Sequence, residues 1–228
     1  MTDALLPPVI FDLDGTLIDS VADLADATNT ALSREQLPPH PIEAYLAFVG
    51  DGITQLVLRA LPKDRREDQD FVAQVQDHMR EAYEQCWMNK TVPYPGIGTV
   101  LTQLQTRQQA MAVLSNKPHP ATEELVRGLL GEWTFSIVQG AIPGVPLKPH
   151  PAAAIDLAAR LDAAPSNCFF VGDTNTDMQT ARAAKMRAIG VTWGFRTAGE
   201  LTAAGADYLV DHPDEILAIT GENCRQKD

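Results

Sequence analysis

Cysteine is scarce in this chain of 228 residues: the three present, Cys86, Cys168 and Cys224, are odd in number, far apart and without C-x-x-C spacing. Neither a disulfide framework nor a cysteine zinc site fits that usage, and a reducing compartment is the simple reading. Basic residues are also short, 18 against 30 acidic, and the resulting net charge of −12 repels nucleic-acid phosphates and anionic membrane surfaces. A nucleic-acid partner is therefore disfavoured. No run approaches the roughly 18 consecutive apolar residues of a membrane helix. The segment before Val9 holds Asp3 and two prolines with no basic start, so no secretory leader is expected there. Low-complexity tracts are lacking too. Lys-Pro-His-Pro occurs at 117–120 and again at 148–151, but the flanks differ and no repeat is implied. What remains is an ordinary globular composition, 45% hydrophobic and 21% charged, expected to be a cytoplasmic monomer or homodimer acting on a small molecule.

Val9 to Leu13 is a short apolar run closed by Gly15, which reads as a buried strand. From Ser20, paired with Asp23 at capping-box spacing, apolar residues recur at helical intervals. Helical patterns then continue to Cys86 with no strand between them. About 75 residues of this kind, ended by Val92-Pro-Tyr-Pro-Gly96, exceed the roughly 30 of a βαβ crossover and predict a helical insertion. After Gly96 strand and helix alternate. Strands are expected near 110–114, 135–138, 168–171, 188–191 and 208–210, which predicts a Rossmann-like, doubly wound parallel sheet with its site at the carboxyl ends of the strands. The expected division is an α/β core of residues 1–15 and 93–228 with an all-helical cap of 16–92.

Polar residues gather at three strand ends: Asp12 with Asp14, Ser115 with Asn116, and Asp173 with Asp177. Lys148 lies in the loop before the helix that feeds the third. On an extended chain Asp12 and Asp14 would point to one side. Four converging aspartates repel by roughly 4 kcal/mol per pair at about 4 Å, so a cation is implied, and oxygen-only ligands favour Mg²⁺ over zinc or copper. Four aspartates, one divalent ion and Lys148 still leave one negative charge in excess, which a proton on Asp14 removes. Asp12 could then attack phosphorus as a nucleophile, with Asp14 serving as acid and later as base. Ser115 and Asn116 would bind phosphoryl oxygens, Lys148 would offset the transferred charge, and Asp173 with Asp177 would hold the metal directly or through water.

Phe11-Asp-Leu-Asp-Gly-Thr-Leu17, Leu114-Ser-Asn116, Lys148-Pro149 and Gly172-Asp-Thr-Asn-Thr-Asp177 together resemble the four motifs of the haloacid dehalogenase superfamily, over nearly the whole chain. Asp-Gly-Thr-Leu-Ile-Asp-Ser20, Tyr94-Pro-Gly96, Ser115-Asn-Lys-Pro118 and Gly172-Asp-Thr174 look most like its phosphoglycolate phosphatases. The resemblance implies the same roles, adds a metal contact from the carbonyl of Asp14, and implies a helical cap after the first strand. Mg²⁺-dependent hydrolysis of a small phosphorylated metabolite, 2-phosphoglycolate first, is the expected activity. The alternatives are a phosphomutase resembling β-phosphoglucomutase, for which 20–32 lacks a histidine, and a pyrophosphatase of the superfamily. A dehalogenase would not need Asp14, and a phosphorylation-switched receiver would be about half as long without a helical insertion.

Lys117 rivals Lys148, since both open the same tetrapeptide; Lys148 is preferred because it precedes the helix leading to Asp173. His119 and His150 are expected in surface loops, and His40, His78 and His212 form no ligand pair. In the insertion, Gly50 and Gly52 of Val49-Gly-Asp-Gly52 mark a loop that could select substrate, and Arg59 could meet a substrate carboxylate. A helix-helix turn and a solvated arginine would explain those residues equally well. The apolar positions Phe71, Val75, Met79 and Tyr83 are taken as packing, and Trp87, Trp133 and Trp193 carry no assigned role.

Overall fold

All three residues of Val9–Phe11 (β1) are buried, as a strand covered on both faces requires. The structure, a computed structural model, describes residues 6–221; Met1–Leu5, including Asp3, and Cys224 lie outside the described residues. The chain divides into two compact units, one running to Leu17 and resuming at Pro93, the other spanning Ile18–Val92.

The second unit is helical. Ile18–Asp19 (β2) opens it, followed by Val21–Arg34 (α1), Ile42–Phe48 (α2), Ile53–Ala60 (α3) and Gln69–Cys86 (α4), and Val92–Pro93 (β3) pairs back with β2. Phe71, Val75, Met79 and Tyr83, spaced one helical turn apart, are buried together on α4, so their role is packing. The expected capping box at Ser20 is not formed. Ser20 makes no side-chain cap, and the fully buried Asp23 instead accepts hydrogen bonds from the Thr91 hydroxyl at 2.6 Å, the Thr91 amide at 2.8 Å and the Lys90 amide. A buried carboxylate needs several donors, and the chain end of this unit supplies more of them than one helix terminus could.

In the first unit, after β1, the chain forms Ile97–Thr106 (α5), Met111–Pro118 (β4), His119–Leu129 (α6), Ile137–Ala141 (β5), Ala152–Arg160 (α7), Phe169–Gly172 (β6), Asn175–Ala184 (α8), Arg187–Val191 (β7), Ala198–Ala204 (α9), Tyr208–Val210 (β8) and Glu215–Gly221 (α10). Six strands form one parallel sheet in the order β5-β4-β1-β6-β7-β8. This is the doubly wound α/β fold. β1 lies between β4 and β6, with Phe11 level with both Val113 and Val171, so the strand order reverses at β1. A crevice forms outside the carboxyl ends at such a reversal.

One layer of the core packs Ile10, Ala112, Phe170 and Ala188 of the sheet against Ala154, Leu157, Ala158, Met178 and Ala181 of α7 and α8. The alanines let the helices approach the sheet closely, and each fully buried large side chain contributes roughly 1.5–3 kcal/mol.

Candidate active site

The site is built where β1, β4 and β6 stop. β1 ends at Phe11, so Asp12 stands at the strand tip, buried, with its amide donating to Val171 O at 2.8 Å. The chain then turns: Thr16 and Leu17 amides both bond back to Leu13 O, and Gly15 takes φ +86°. That turn ends the two-residue alternation, and Asp12 and Asp14 diverge. The Asp12 carboxylate meets Lys148 Nζ at 2.7 Å, whereas that of Asp14 meets Lys117 Nζ at 3.0 Å.

The expectation of four converging aspartate side chains is corrected accordingly. Asp12, Asp173 and Asp177 offer carboxylate oxygens within 4.8 Å of one another, all three residues buried, and the Asp14 side chain is not part of that group. Asp173, directly after β6, accepts the Thr16 hydroxyl at 3.0 Å and the Phe195 amide at 2.8 Å. Asp177 sits in the first turn of α8, where it forms a capping box with Thr174: one oxygen accepts the Thr174 hydroxyl and amide, while the other accepts Lys148 Nζ at 2.6 Å. The start of α8 is thus capped by Thr174, which leaves Asp173 for the crevice.

Two glycines permit this crowding. A Cβ on Gly15 would lie 2.3 Å from Asp173 Oδ2, and one on Gly194 would lie 2.4 Å from the same oxygen and from Gly15 O. Trp193, without a role in the sequence reading, donates its indole N–H to Thr16 O at 3.1 Å and so secures the segment whose hydroxyl holds Asp173.

Ser115 and Asn116 fall where the pairing of β4 with β5 shifts register between Leu114 and Pro118, an irregularity of the kind that re-aims side chains at sheet ends. Ser115 Oγ accepts the Lys117 amide at 3.1 Å. The Asn116 side chain has a partner that the sequence did not suggest. Its oxygen accepts the Lys148 amide at 2.9 Å and its nitrogen donates to Lys148 O at 3.0 Å, so the side chain holds the lysine's backbone.

The preference for Lys148 over Lys117 corresponds to a difference in position. Lys148 is buried between Asp12 and Asp177, and Lys117 is buried against Asp14. His119, which opens α6 rather than lying in a loop, accepts the Gly140 amide of β5 at Nδ1, and His150 Nδ1 accepts the Ala152 amide in a local turn.

In the helical unit, Gly50 and Gly52 take φ +109° and +86° in the loop between α2 and α3. Arg59 donates to Phe48 O at 3.0 Å and pairs with Asp51. Its guanidinium closes that loop, as expected of the helix-helix turn read beside the substrate contact.

Electrostatically the cluster has three carboxyls against one ammonium. Burial, then the charge of Asp177, push the Asp12 carboxyl up to about 7, against which Lys148 pulls down. Asp173 is raised well above the ordinary carboxylate value by burial and then by Asp177 and Asp12. Burial works against the Lys148 ammonium, but Asp12 and Asp177 outweigh it and hold its pKa above the ordinary lysine value. The cluster therefore takes up a proton or a cation, and a buried all-oxygen donor set fits Mg²⁺.

The pH dependence follows in sign. A carboxyl raised in the folded state keeps a proton that the unfolded chain releases near 3.8, so its stabilising contribution is present below that pH and is lost as pH rises toward about 7. Metal-free protein should accordingly owe less of its stability to Asp12 and Asp173 at pH 8 than at pH 5. Millimolar Mg²⁺ should raise the melting temperature more at pH 8, where it competes with fewer protons. Melting curves at both pH values, with Mg²⁺ and with chelator, check this; an equal or larger Mg²⁺ increment at pH 5 contradicts it.

The profile of the haloacid dehalogenase-like hydrolases matches residues 9–191. A phosphoglycolate phosphatase of Haemophilus influenzae is 30% identical over 92% of this chain and 96% of its own length, and one of Pseudomonas putida is 34% identical over 92% and 78%. A crystal structure of a candidate phosphoglycolate phosphatase from Lactobacillus delbrueckii superposes with a TM-score of 0.89 at 31% identity, covering 96% of this chain and all of that one. Among the described residues no helix is long and apolar enough to cross a membrane. The chain belongs to the haloacid dehalogenase-like hydrolase family, and within it is a phosphatase, a phosphoric monoester hydrolase.

Proposed function

We propose that this enzyme hydrolyses a small phosphomonoester, 2-phosphoglycolate first, with Mg²⁺ and through a phosphorylated Asp12, as a monomer or homodimer in the cytoplasm. The observation that carries the reading is the buried set of Asp12, Asp173 and Asp177 with Lys148 between two of them, at the strand-order reversal of the sheet. The names of the relatives support the choice of substrate. Asp12, Asp173 and Asp177 would hold Mg²⁺, with the Asp14 carbonyl as a further ligand. When bound, the ion supplies positive charge to phosphoryl oxygens and keeps the carboxylates ionised.

The chain's own groups do the rest. An Asp12 oxygen bonds to phosphorus as the ester P–O bond breaks, and Asp14 gives its proton to the departing oxygen. A water oxygen then bonds to phosphorus, the Asp12–phosphorus bond breaks, and the water proton passes to Asp14. Lys148 offsets the transferred charge, Ser115 donates its hydroxyl to a phosphoryl oxygen, and the side chain of Asn116 keeps Lys148 in place. Substrate choice is assigned to the helical unit and its loop at Gly50 and Gly52, closed by Arg59.

The test is phosphate release from a panel of phosphorylated metabolites, with Mg²⁺ and with chelator, ranked by kcat/KM. The expected result is Mg²⁺-dependent release with 2-phosphoglycolate ranked first. A pyrophosphate ranking first, or isomerised hexose phosphate as the product, would reassign the chain to the pyrophosphatases or the mutases.

A further inference from the structure

Lys117 is buried on β4, and its ammonium lies 3.1 Å from Asp14 Oδ1 and 3.0 Å from Asp14 Oδ2, across a separation of 103 residues. Both carboxylate oxygens are thus engaged by one cation. The lysine is itself fixed: its amide donates to Ser115 Oγ, and its carbonyl accepts the Thr122 hydroxyl at 3.2 Å. Close packing on the neighbouring strand completes the setting, since a Cβ on Gly140 would come within 2.5 Å of Lys117 O. Lys117 leaves the sheet from a secured backbone and points at the one site carboxylate outside the three-aspartate cluster. Lys148, by contrast, serves Asp12 and Asp177, so the two lysines take three of the four acids between them, and Asp173 is held by the Thr16 hydroxyl and the Phe195 amide.

We infer that Lys117 is a positioning residue for proton transfer, holding the Asp14 carboxyl in the direction from which it serves the leaving group and then the attacking water. The inference rests on the assignment of Asp14 as acid and base in the proposed hydrolysis. A swinging aspartate on the turn at Gly15 would meet the reacting oxygens only part of the time, and a misdirected proton donor loses much of the about 10²–10⁴-fold that general acid-base catalysis contributes.

Leaving-group chemistry separates this role from others. p-Nitrophenolate departs without a proton, whereas the alkoxide of 2-phosphoglycolate does not. With p-nitrophenyl phosphate and Mg²⁺, Lys117→Met should release the first equivalent of p-nitrophenolate per enzyme at a rate within about threefold of the wild type, then turn over about tenfold or more slowly. With 2-phosphoglycolate its kcat should fall by at least the same factor while KM changes little, and Lys117→Arg should recover most of the loss. In an Asp14→Asn background, Lys117→Met should cost almost nothing further, and that cycle decides the matter even where the single variant is less stable. A first equivalent slowed as much as the steady state would overturn the inference, as would additive losses in the double variant or unchanged turnover. Failure of the hydrolytic assignment itself reads differently: the wild type would then release no phosphate from either ester.

Discussion

Asp12→Asn is expected to lower kcat for phosphate release by roughly 10⁴-fold or more, the scale on which loss of a nucleophile is felt. The amide keeps the shape of the side chain but cannot form the bond to phosphorus, so no substrate escapes the loss, however good its leaving group. Stability should move the other way. Asp12 is one of three buried carboxyls around a single ammonium, and burial with the charge of Asp177 makes its ionised form costly. Removing it relieves the metal-free cluster, and the effect is largest at pH 8, where the wild-type carboxyl is ionised. Metal-free Asp12→Asn should thus melt no lower than the wild type at pH 8 and gain less from added Mg²⁺, because one proposed ligand has lost its charge. Turnover above a hundredth of the wild-type rate would remove Asp12 from the role of nucleophile. An inactive variant that melts well below the wild type at pH 8 would show that the side chain is needed for folding and leave the loss of activity without mechanistic force; the first equivalent from p-nitrophenyl phosphate, measured below the melting range, then decides.

What could be read from the sequence follows from the range over which sequence rules act. Val9–Phe11 and Phe169–Gly172 are apolar runs buried throughout, and strands of that kind belong inside a parallel sheet. Once the sheet is parallel, residues just past such strands share one edge, which is why Asp12, Ser115 and Asp173 could be grouped without coordinates. The rest lies with partners that spacing does not connect. Asp14 turns to Lys117 because the chain leaves the strand after Phe11 and the two-residue alternation ends there. Asn116 is joined to the backbone of Lys148 across 32 residues, and Asp23 to Thr91 across 68. In each case the partner lies far outside the window that a local spacing rule covers. The tie from Trp193 to Thr16 spans 177 residues and leaves no periodic signal.

The two buried lysines should fail in distinguishable ways, and Lys148→Met is the more damaging. Its ammonium lies 2.7 Å from Asp12 and 2.6 Å from Asp177, with the lysine side chain only 3% exposed. Taking away one member of a buried ionic cluster while leaving the others costs about 3–5 kcal/mol, because the remaining charges stay desolvated and unpaired. The carboxyls can escape part of that cost by protonation. Asp12 is already raised to about 7 with Lys148 present, so without the lysine it holds its proton to higher pH, and the stability deficit should be smaller at pH 5 than at pH 8. Mg²⁺ should restore part of the difference at pH 8 by supplying the missing positive charge. Activity should not return with it. Lys148 is assigned to offset charge on the transferring phosphoryl group, and loss of such a group costs about 10²–10³-fold. That loss falls on the first chemical step, so the first equivalent of p-nitrophenolate should be slowed as much as steady turnover, unlike the Lys117 variant, where only the proton-dependent steps suffer. Melting curves at pH 5 and pH 8 together with one rapid-mixing experiment test both halves. Equal deficits at the two pH values would mean that Lys148 acts through packing, and an undiminished first equivalent would pass the charge-offsetting role to Lys117.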